Sequence, residues 1–414
     1  MLSDAQRATE QVARQSYGKL IAFLAARSHD VPAAEDALSE AIAAALRSWP
    51  ERGIPDNPEA WLLVAARRNL IRGMRHETVK AAGRVRIEMA MEEAQERMNA
   101  DHPPFPDERL KLLFACTHPA IDTTIHAALM LQTVLAIDAA TIAKAFIVAP
   151  ETMSQRLVRA KIKIRDARIP FTVPEQPMLP DRLAGVLTAI YAAYGLGWEG
   201  LGDSEKQGSL AEEAIWLGRA LHATLPREPE AMGLLSLMLY SQSRRGARRN
   251  ASGDYIPLDQ QDTVLWDAAM ITEADDLLRQ AGAFARFGPF QCLAAIQSVH
   301  AERRRCGTTD WRALARLYEA LLIMKPTTGA RVSHAAVVAR MDGPGAGLEL
   351  LNRIAERDIV NYQPYWAVRA HLLAEAGDME YATNAYRSAI GLSSSEAVRR
   401  FLLRRLDAIS PKNA

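Results

Sequence analysis

The chain has 414 residues, 49% of them apolar and 24% charged, with a formal net charge of +1. That balance is globular and excludes a mainly disordered chain, a collagen and a small disulfide scaffold. No stretch approaches the ~20 uninterrupted apolar residues of a membrane helix. The first residues lack a signal-peptide pattern, and three scattered cysteines (Cys116, Cys292, Cys306) suit a reducing compartment, so a cytoplasmic location and no membrane partner are expected.

Nearly every segment repeats its apolar residues at three and four spacing, and none alternates as a strand would, so the expected fold class is all-α. Charge is uneven along the chain. Residues 30–60 hold seven acids against two bases, and residues 61–86 hold seven bases against Glu77 alone. Residues 150–170 hold six bases against two acids, whereas residues 171–414 are balanced, with 27 bases and 28 acids. Short basic blocks beside an acidic one suggest nucleic acid together with a basic protein partner, although any single run can be a solvated helix face.

In chain order, Asn57-Pro58 places a capping residue before a first-turn proline and starts a helix running through Trp61 towards Arg75. The first helical domain is expected at residues 1–76. A connecting segment at 77–106 ends in Asp-His-Pro-Pro-Phe-Pro, and a second small domain follows at 107–169. Prolines at 170, 174, 177 and 180 mark a linker at 170–180, and a helical remainder fills 181–414. Within that remainder Trp366, Ala370, Leu373, Ala382, Tyr386 and Ala389 have the spacing of one tetratricopeptide repeat, and Ala214, Leu221 and Pro226 give a poorer echo. A helical-repeat array and an irregular helical domain both stay open.

The strongest local pattern runs from Asp138 to Lys161. Asp138 caps a short helix with Ile142, Ala143 and Phe146 inward, Ile147–Ala149 turn, and Pro150 opens a second helix. On that helix Met153, Leu157, Ala160 and Ile164 form a buried stripe, leaving Thr152, Gln155, Arg156, Arg159 and Lys163 outside it. This is a helix-turn-helix layout, in which Gln and Arg read base edges and Thr and Lys hold phosphates in the major groove. Val158 and Ile162 share the outer side and are expected to pack on another helix or on the C-terminal domain.

Residues 1–170 resemble the extracytoplasmic-function (ECF) sigma factors, through Ala34-Glu-Asp-Ala-Leu-Ser-Glu-Ala41, Asn57-Pro-Glu-Ala-Trp-Leu62, Ala66-Arg-Arg-Asn-Leu70 and Thr152-Met-Ser-Gln-Arg-Leu-Val-Arg-Ala-Lys161. Arg109-Leu-Lys-Leu-Leu-Phe-Ala-Cys-Thr-His-Pro119, Ala167-Arg-Ile-Pro-Phe171 and the remainder are similar to the subgroup with a tetratricopeptide-like C-terminal extension. The resemblance implies a sigma region 2-like domain at 1–76, a region 4-like domain at 107–169 and core RNA polymerase and promoter DNA as partners. Glu35, Asp36 and Glu40 would dock on the polymerase. Asp56 and Asn57, in a loop from Pro50 to Pro58, would hold a flipped −10 base. Arg67, Arg68, Asn69, Arg72 and Arg75 would meet the −10 duplex, and Thr152, Gln155, Arg156, Arg159 and Lys163 the −35 element.

The family usually has aspartate where this chain has Arg72 and glutamate where it has Thr141. The subgroup's aromatic-Asn-Glu-Gly signature is replaced by Tyr191-Ala-Ala-Tyr-Gly-Leu-Gly-Trp198, so no role is carried onto those residues.

Other motifs fail. Gly195-Leu-Gly-Trp-Glu-Gly200 lacks a preceding strand, and Cys116 and His118 lack a second ligand pair. No catalytic residue, metal, cofactor or small-molecule substrate is expected, so the chain is not expected to be an enzyme. The arginines at 244, 245, 248, 249 and 303–305 are expected to be solvated helix ends. The extension is expected to dock on the sigma-like domains or on an unidentified regulator. Rival readings are a tetratricopeptide-type scaffold with a decayed sigma-like module and a repressor that works without polymerase.

Overall fold

The computed structural model describes residues 4–77, 107–146, 148–175, 178–199 and 205–409. The connecting segment expected at 77–106 lies, but for Glu77, outside the described residues. The described chain is all-α, and its only β pairing is an isolated bridge between Arg249 and Tyr255. Two compact units divide it, Met1–Ala193 and Tyr194–Ala414.

The first unit carries α1 (Asp4–Ser28), α2 (Val31–Arg52), α3 (Pro58–Glu77), α4 (Arg109–Cys116), α5 (His126–Leu135), α6 (Ala139–Ala145), α7 (Pro150–Asp166) and most of α8 (Leu179–Glu199). Short polar side chains start three of these by accepting from N–H groups that a first helical turn leaves unpaired. Asp30 accepts from Ala33 N at 3.0 Å, Asn57 from Ala60 N at 3.0 Å and Asp138 from Thr141 N at 2.9 Å. The expected loop from Pro50 to Pro58 is shorter than the sequence suggested. Pro50 stays in the last turn of α2, which ends at Arg52 with Gly53 at φ +86°. A proline this close to a helix end disturbs only the turn before it.

The long helix α1 is the spine of this unit. Its Leu20, Ile21 and Leu24 are fully buried with Leu38 of α2, Leu62 of α3, Leu112 to Phe114 of α4 and Leu129 to Leu131 of α5. Each such side chain contributes roughly 1.5–3 kcal/mol when removed from water. Gly18 lets α1 and α5 meet at backbone distance: a Cβ there would lie 1.8 Å from the Val134 carbonyl oxygen. Beyond α7 the proline-rich stretch is anchored rather than loose at its start. Ile169 and Phe171 are buried, Phe171 meets His29 edge-on at 5.8 Å, and Pro180 falls in the first turn of α8.

The second unit continues with α9 (Glu205–Thr224), α10 (Pro229–Ser243), α11 (Ala268–Gly282), α12 (Pro289–Cys306), α13 (Trp311–Met324), α14 (Thr328–Asp342), α15 (Pro344–Asn352), α16 (Glu356–Ile359), α17 (Gln363–Glu375), α18 (Met379–Leu392) and α19 (Glu396–Ile409). Its core is a succession of local clusters, each built by helices near in sequence, which is how stacked helical arrays hold together. One joins Cys292, Ile296, Leu314 and Val337; the next joins Val332, Ala335, Leu351 and Tyr365. The last joins Ala370, Leu373, Ala382, Tyr386 and Ala389, with Trp366 against it. The six residues picked out by repeat spacing thus share one core. Glu230 supplies a cap from a distance, accepting from Phe290 N and Gln291 N at 3.0 Å each, because Gly288 at the start of α12 has no side chain to do so.

Candidate nucleic-acid and polymerase interface

The helix-turn-helix forms as its residue types require. Asp138 takes both the N–H and the hydroxyl of Thr141, which holds its carboxyl below the usual range. The turn closes with Val148 N donating to Ala143 O at 2.9 Å, and Pro150 opens α7. Met153, Leu157, Ala160 and Ile164 are buried. Thr152, Gln155, Arg156, Arg159 and Lys163 are all exposed on the opposite side. Val158 and Ile162 share that side at 49% and 36% exposure, so among the described residues of the first unit no helix covers them.

On α3, Arg68 and Arg72 are exposed, Asn69 is half-buried and Arg67 is buried at 8% exposure, set apart from the other two arginines. The Arg75 side chain lies outside the described residues. Asn69 donates to the Ala37 carbonyl of α2 at 3.2 Å, and Arg72 donates to Asn69 Oδ1 at 2.9 Å and to Glu40 Oε2 at 3.0 Å. Asp56 and Asn57 sit exposed in the short loop between α2 and α3, with Asn57 engaged as a cap. Trp49 and Trp61 close that loop at its base, edge-to-face at 5.5 Å.

The acidic set on α2 divides. Asp36 is exposed, and Glu40 is exposed but paired with Arg72. Glu35 faces α7, where its Oε2 lies 2.6 Å from Lys161 Nζ. Burial raises the Glu35 carboxyl above its ordinary value, with the lysine opposing the shift. Burial and the Glu35 charge together raise the Tyr17 phenol. Sequence reasoning missed the role of Lys161. A signal existed, because Lys161 falls four residues after Leu157, on the edge of the buried stripe.

The other chemical candidates are structural. Cys116 is buried beside Thr133, its thiol pushed up to about 12 by burial, and His118 Nδ1 accepts from Ala120 N at 3.1 Å. Among the described residues no cluster of His, Cys, Asp or Glu is placed to hold a metal, and no helix is long and apolar enough to cross a membrane. Of the arginines expected to be solvated helix ends, Arg304 and Arg305 are exposed at the end of α12, but the others differ from expectation. Arg244, Arg245, Arg248 and Arg249 are half-buried rather than solvated, the turn after α10 laying Arg248 on Trp198 at the end of α8, and Arg303 of α12 is half-buried with its guanidinium on the carbonyls of Leu258 and Gln261.

Comparison with known proteins gives the class. Residues 12–79 match Sigma-70 region 2, and residues 182–282 match a family of unknown function, DUF6596. The N-terminal domain is thus a sigma-70 region 2, which supports a sigma-factor role in transcription initiation and implies binding to core RNA polymerase. An uncharacterized protein of Rhizobium meliloti (strain 1021) is 34% identical over 404 residues, covering 97% of this chain and 94% of its own length. The chain belongs to the same family as that protein. No solved structure matches it.

Proposed function

We propose that the chain is a sigma factor of the ECF type, acting in the cytoplasm, that binds core RNA polymerase through α2 and reads promoter DNA with two separate elements. The −35 element is read by Thr152, Gln155, Arg156, Arg159 and Lys163 on α7. The −10 element is met by Asp56, Asn57, Arg68, Asn69 and Arg72, with Arg75 at the end of α3. Arg67 is left out of this set because its side chain is buried. The observation that carries the reading is the exposed Gln155, Arg156, Arg159 and Lys163 face of α7, opposite its buried stripe, in a chain whose N-terminus is a sigma-70 region 2. Guanidinium and amide heads on such a face suit base edges and phosphates. Two modest DNA contacts joined through one large enzyme gain affinity by effective concentration, so the isolated chain binds promoter duplex weakly and with steep salt dependence.

The chain does no chemistry of its own in this reading; the polymerase does. The tetratricopeptide-like extension regulates promoter engagement or polymerase binding. Run-off transcription with purified core polymerase over a pool of promoter fragments tests the proposal. Product that requires the protein supports it, and absence of both product and polymerase binding overturns it. Deleting residues 200–414, which keeps α8 on the first unit, tests the extension: unchanged promoter activity and regulation would remove its proposed role.

A further inference from the structure

Four arginines of the second unit, Arg244, Arg245, Arg248 and Arg303, gather with no ion-paired carboxylate among the described residues. The turn after α10 (Arg245–Arg248) brings Arg248 over the Trp198 ring, with Cζ 3.9 Å from the ring centroid, and its Nη1 donates to the Trp198 carbonyl at 2.7 Å. Arg244 lies over the same ring at 5.8 Å, and Tyr194 stacks beside it at 5.9 Å. From α12, Arg303 donates to the carbonyls of Leu258 and Gln261 at 2.8 Å each and stands 5.1 Å from the Trp266 ring. His300, one turn before Arg303, lies within the electrostatic reach of both Arg244 and Arg303 and is held neutral.

No carboxylate among the described residues forms an ion pair with Arg244, Arg245, Arg248 or Arg303. Asp259, whose charge reaches Arg303, is itself bonded to Arg340 at 2.8 Å. Two further donors, Arg245 Nη1 and Trp266 Nε1, are buried with no hydrogen-bond partner. Burying cationic groups beside unpaired donors is costly unless an anion completes the set. Trp266 is buried, but the four arginines are only half-buried, so part of each side chain meets solvent.

The four arginines divide the work. Arg248 and Arg303 spend N–H groups on backbone carbonyls, which fixes them as stationary charges. Arg244 and Arg245 keep their forks for a ligand. Planar forks of this kind match the oxygens of a phosphate bidentately, and a phosphoryl group carries more charge than one carboxylate to set against them.

We propose that this cluster binds a small molecule bearing a phosphate or pyrophosphate group, with Arg244 and Arg245 as its direct ligands and Arg248, Arg303 and the Trp198 and Trp266 rings as the walls. It rests on the extension alone and does not depend on the sigma-factor reading. Tyr194 and Trp198, from a stretch to which the sequence assigned no role, then supply one wall of a ligand site.

Isothermal titration calorimetry of the full chain at fixed ionic strength tests this with three phosphate-bearing probes, inorganic phosphate, inorganic pyrophosphate and adenosine diphosphate, and with citrate as a phosphate-free control. Saturable binding is expected for at least one, weakened about tenfold or more in Arg244→Gln and in Arg245→Gln, as loss of a charge-assisted bidentate contact requires. Arg304→Gln, on the exposed side of α12, should bind as the parent does. Tighter binding of the inorganic probes would assign the site to free phosphate, and tighter binding of the nucleotide to a phosphorylated organic molecule. Ligand-free Arg244→Gln should be at least as stable as the parent, since it removes a buried charge with no partner. No saturable binding of any probe, equal loss in Arg304→Gln, tighter binding of citrate than of pyrophosphate, or a destabilised ligand-free Arg244→Gln would each overturn the proposal.

Discussion

Lys161 Nζ on α7 lies 2.6 Å from Glu35 Oε2 on α2, joining two residues 126 positions apart with side chains only 10% and 17% exposed. The lysine belongs to the helix proposed to read DNA and the glutamate to the surface proposed to meet the polymerase. While this pair is closed, Glu35 is covered, so docking through Glu35 requires α2 and α7 to separate.

The pair predicts an asymmetric result on stability. Burial raises the Glu35 carboxyl, so its ionised form is held at a cost and leans on Lys161. The sign follows: the stability Glu35 lends is full below its ordinary carboxyl value and is lost as pH rises through the higher folded value. Lys161→Met strands a buried carboxylate and should cost about 1–3 kcal/mol at neutral pH, whereas Glu35→Gln leaves a lysine that can reach water and should cost less. The double variant should recover part of the loss. Urea unfolding of the four proteins measures the coupling, and a value near zero would mean the pair is not closed in solution.

Arg156→Ala with Arg159→Ala should lower protein-dependent transcription tenfold or more, at roughly 1–3 kcal/mol for each lost base contact, while core polymerase binding is retained. Filter binding to core polymerase beside run-off assays separates the two. Equal loss of both would place these arginines in polymerase docking instead.

Gly18→Ala tests the approach of α1 and α5. Helix propensity alone favours alanine by about 1 kcal/mol. The new methyl would meet the Val134 carbonyl oxygen at 1.8 Å, so the net effect should be a loss of about 2 kcal/mol or more. A stabilised variant in thermal unfolding would show that the helices do not meet there.

Acid should destabilise the chain through its histidines. Burial lowers His118, His126, His334 and His371, and His300 is pushed down to about 4 by burial and by Arg244 and Arg303. These rings are neutral in the fold but charge near their ordinary value when unfolded. Their contribution is therefore complete above that value and lost as pH falls through the folded values, for His300 between its ordinary value of 6.5 and about 4. At ~1.4 kcal/mol per pH unit His300 alone accounts for about 3 kcal/mol. Urea unfolding from about pH 8 down to pH 4 should show the slope, and His300→Gln should flatten it.

The sequence by itself determined the helical class, because apolar spacing, caps and prolines act over a few residues. Asp30, Asn57 and Asp138 cap where their neighbours place them, and the outer face of α7 follows from the 3.6-residue period around Met153 and Leu157. The repeat spacing around Trp366 is legible for the same reason, since its cluster is built from adjacent helices. Tertiary structure alone decided what lies far apart in the chain. The family resemblance put Arg67 beside Arg68 against the −10 duplex, but packing buries Arg67 and leaves Arg68 exposed. Periodicity could not say that Lys161 would find Glu35, because that pairing depends on α2 and α7, far apart in the chain, packing against each other. Nor could a run of arginines be told from a solvated helix end until the turn after α10 folded it onto Trp198, where burial with no ion-paired carboxylate among the described residues gives those charges a different meaning.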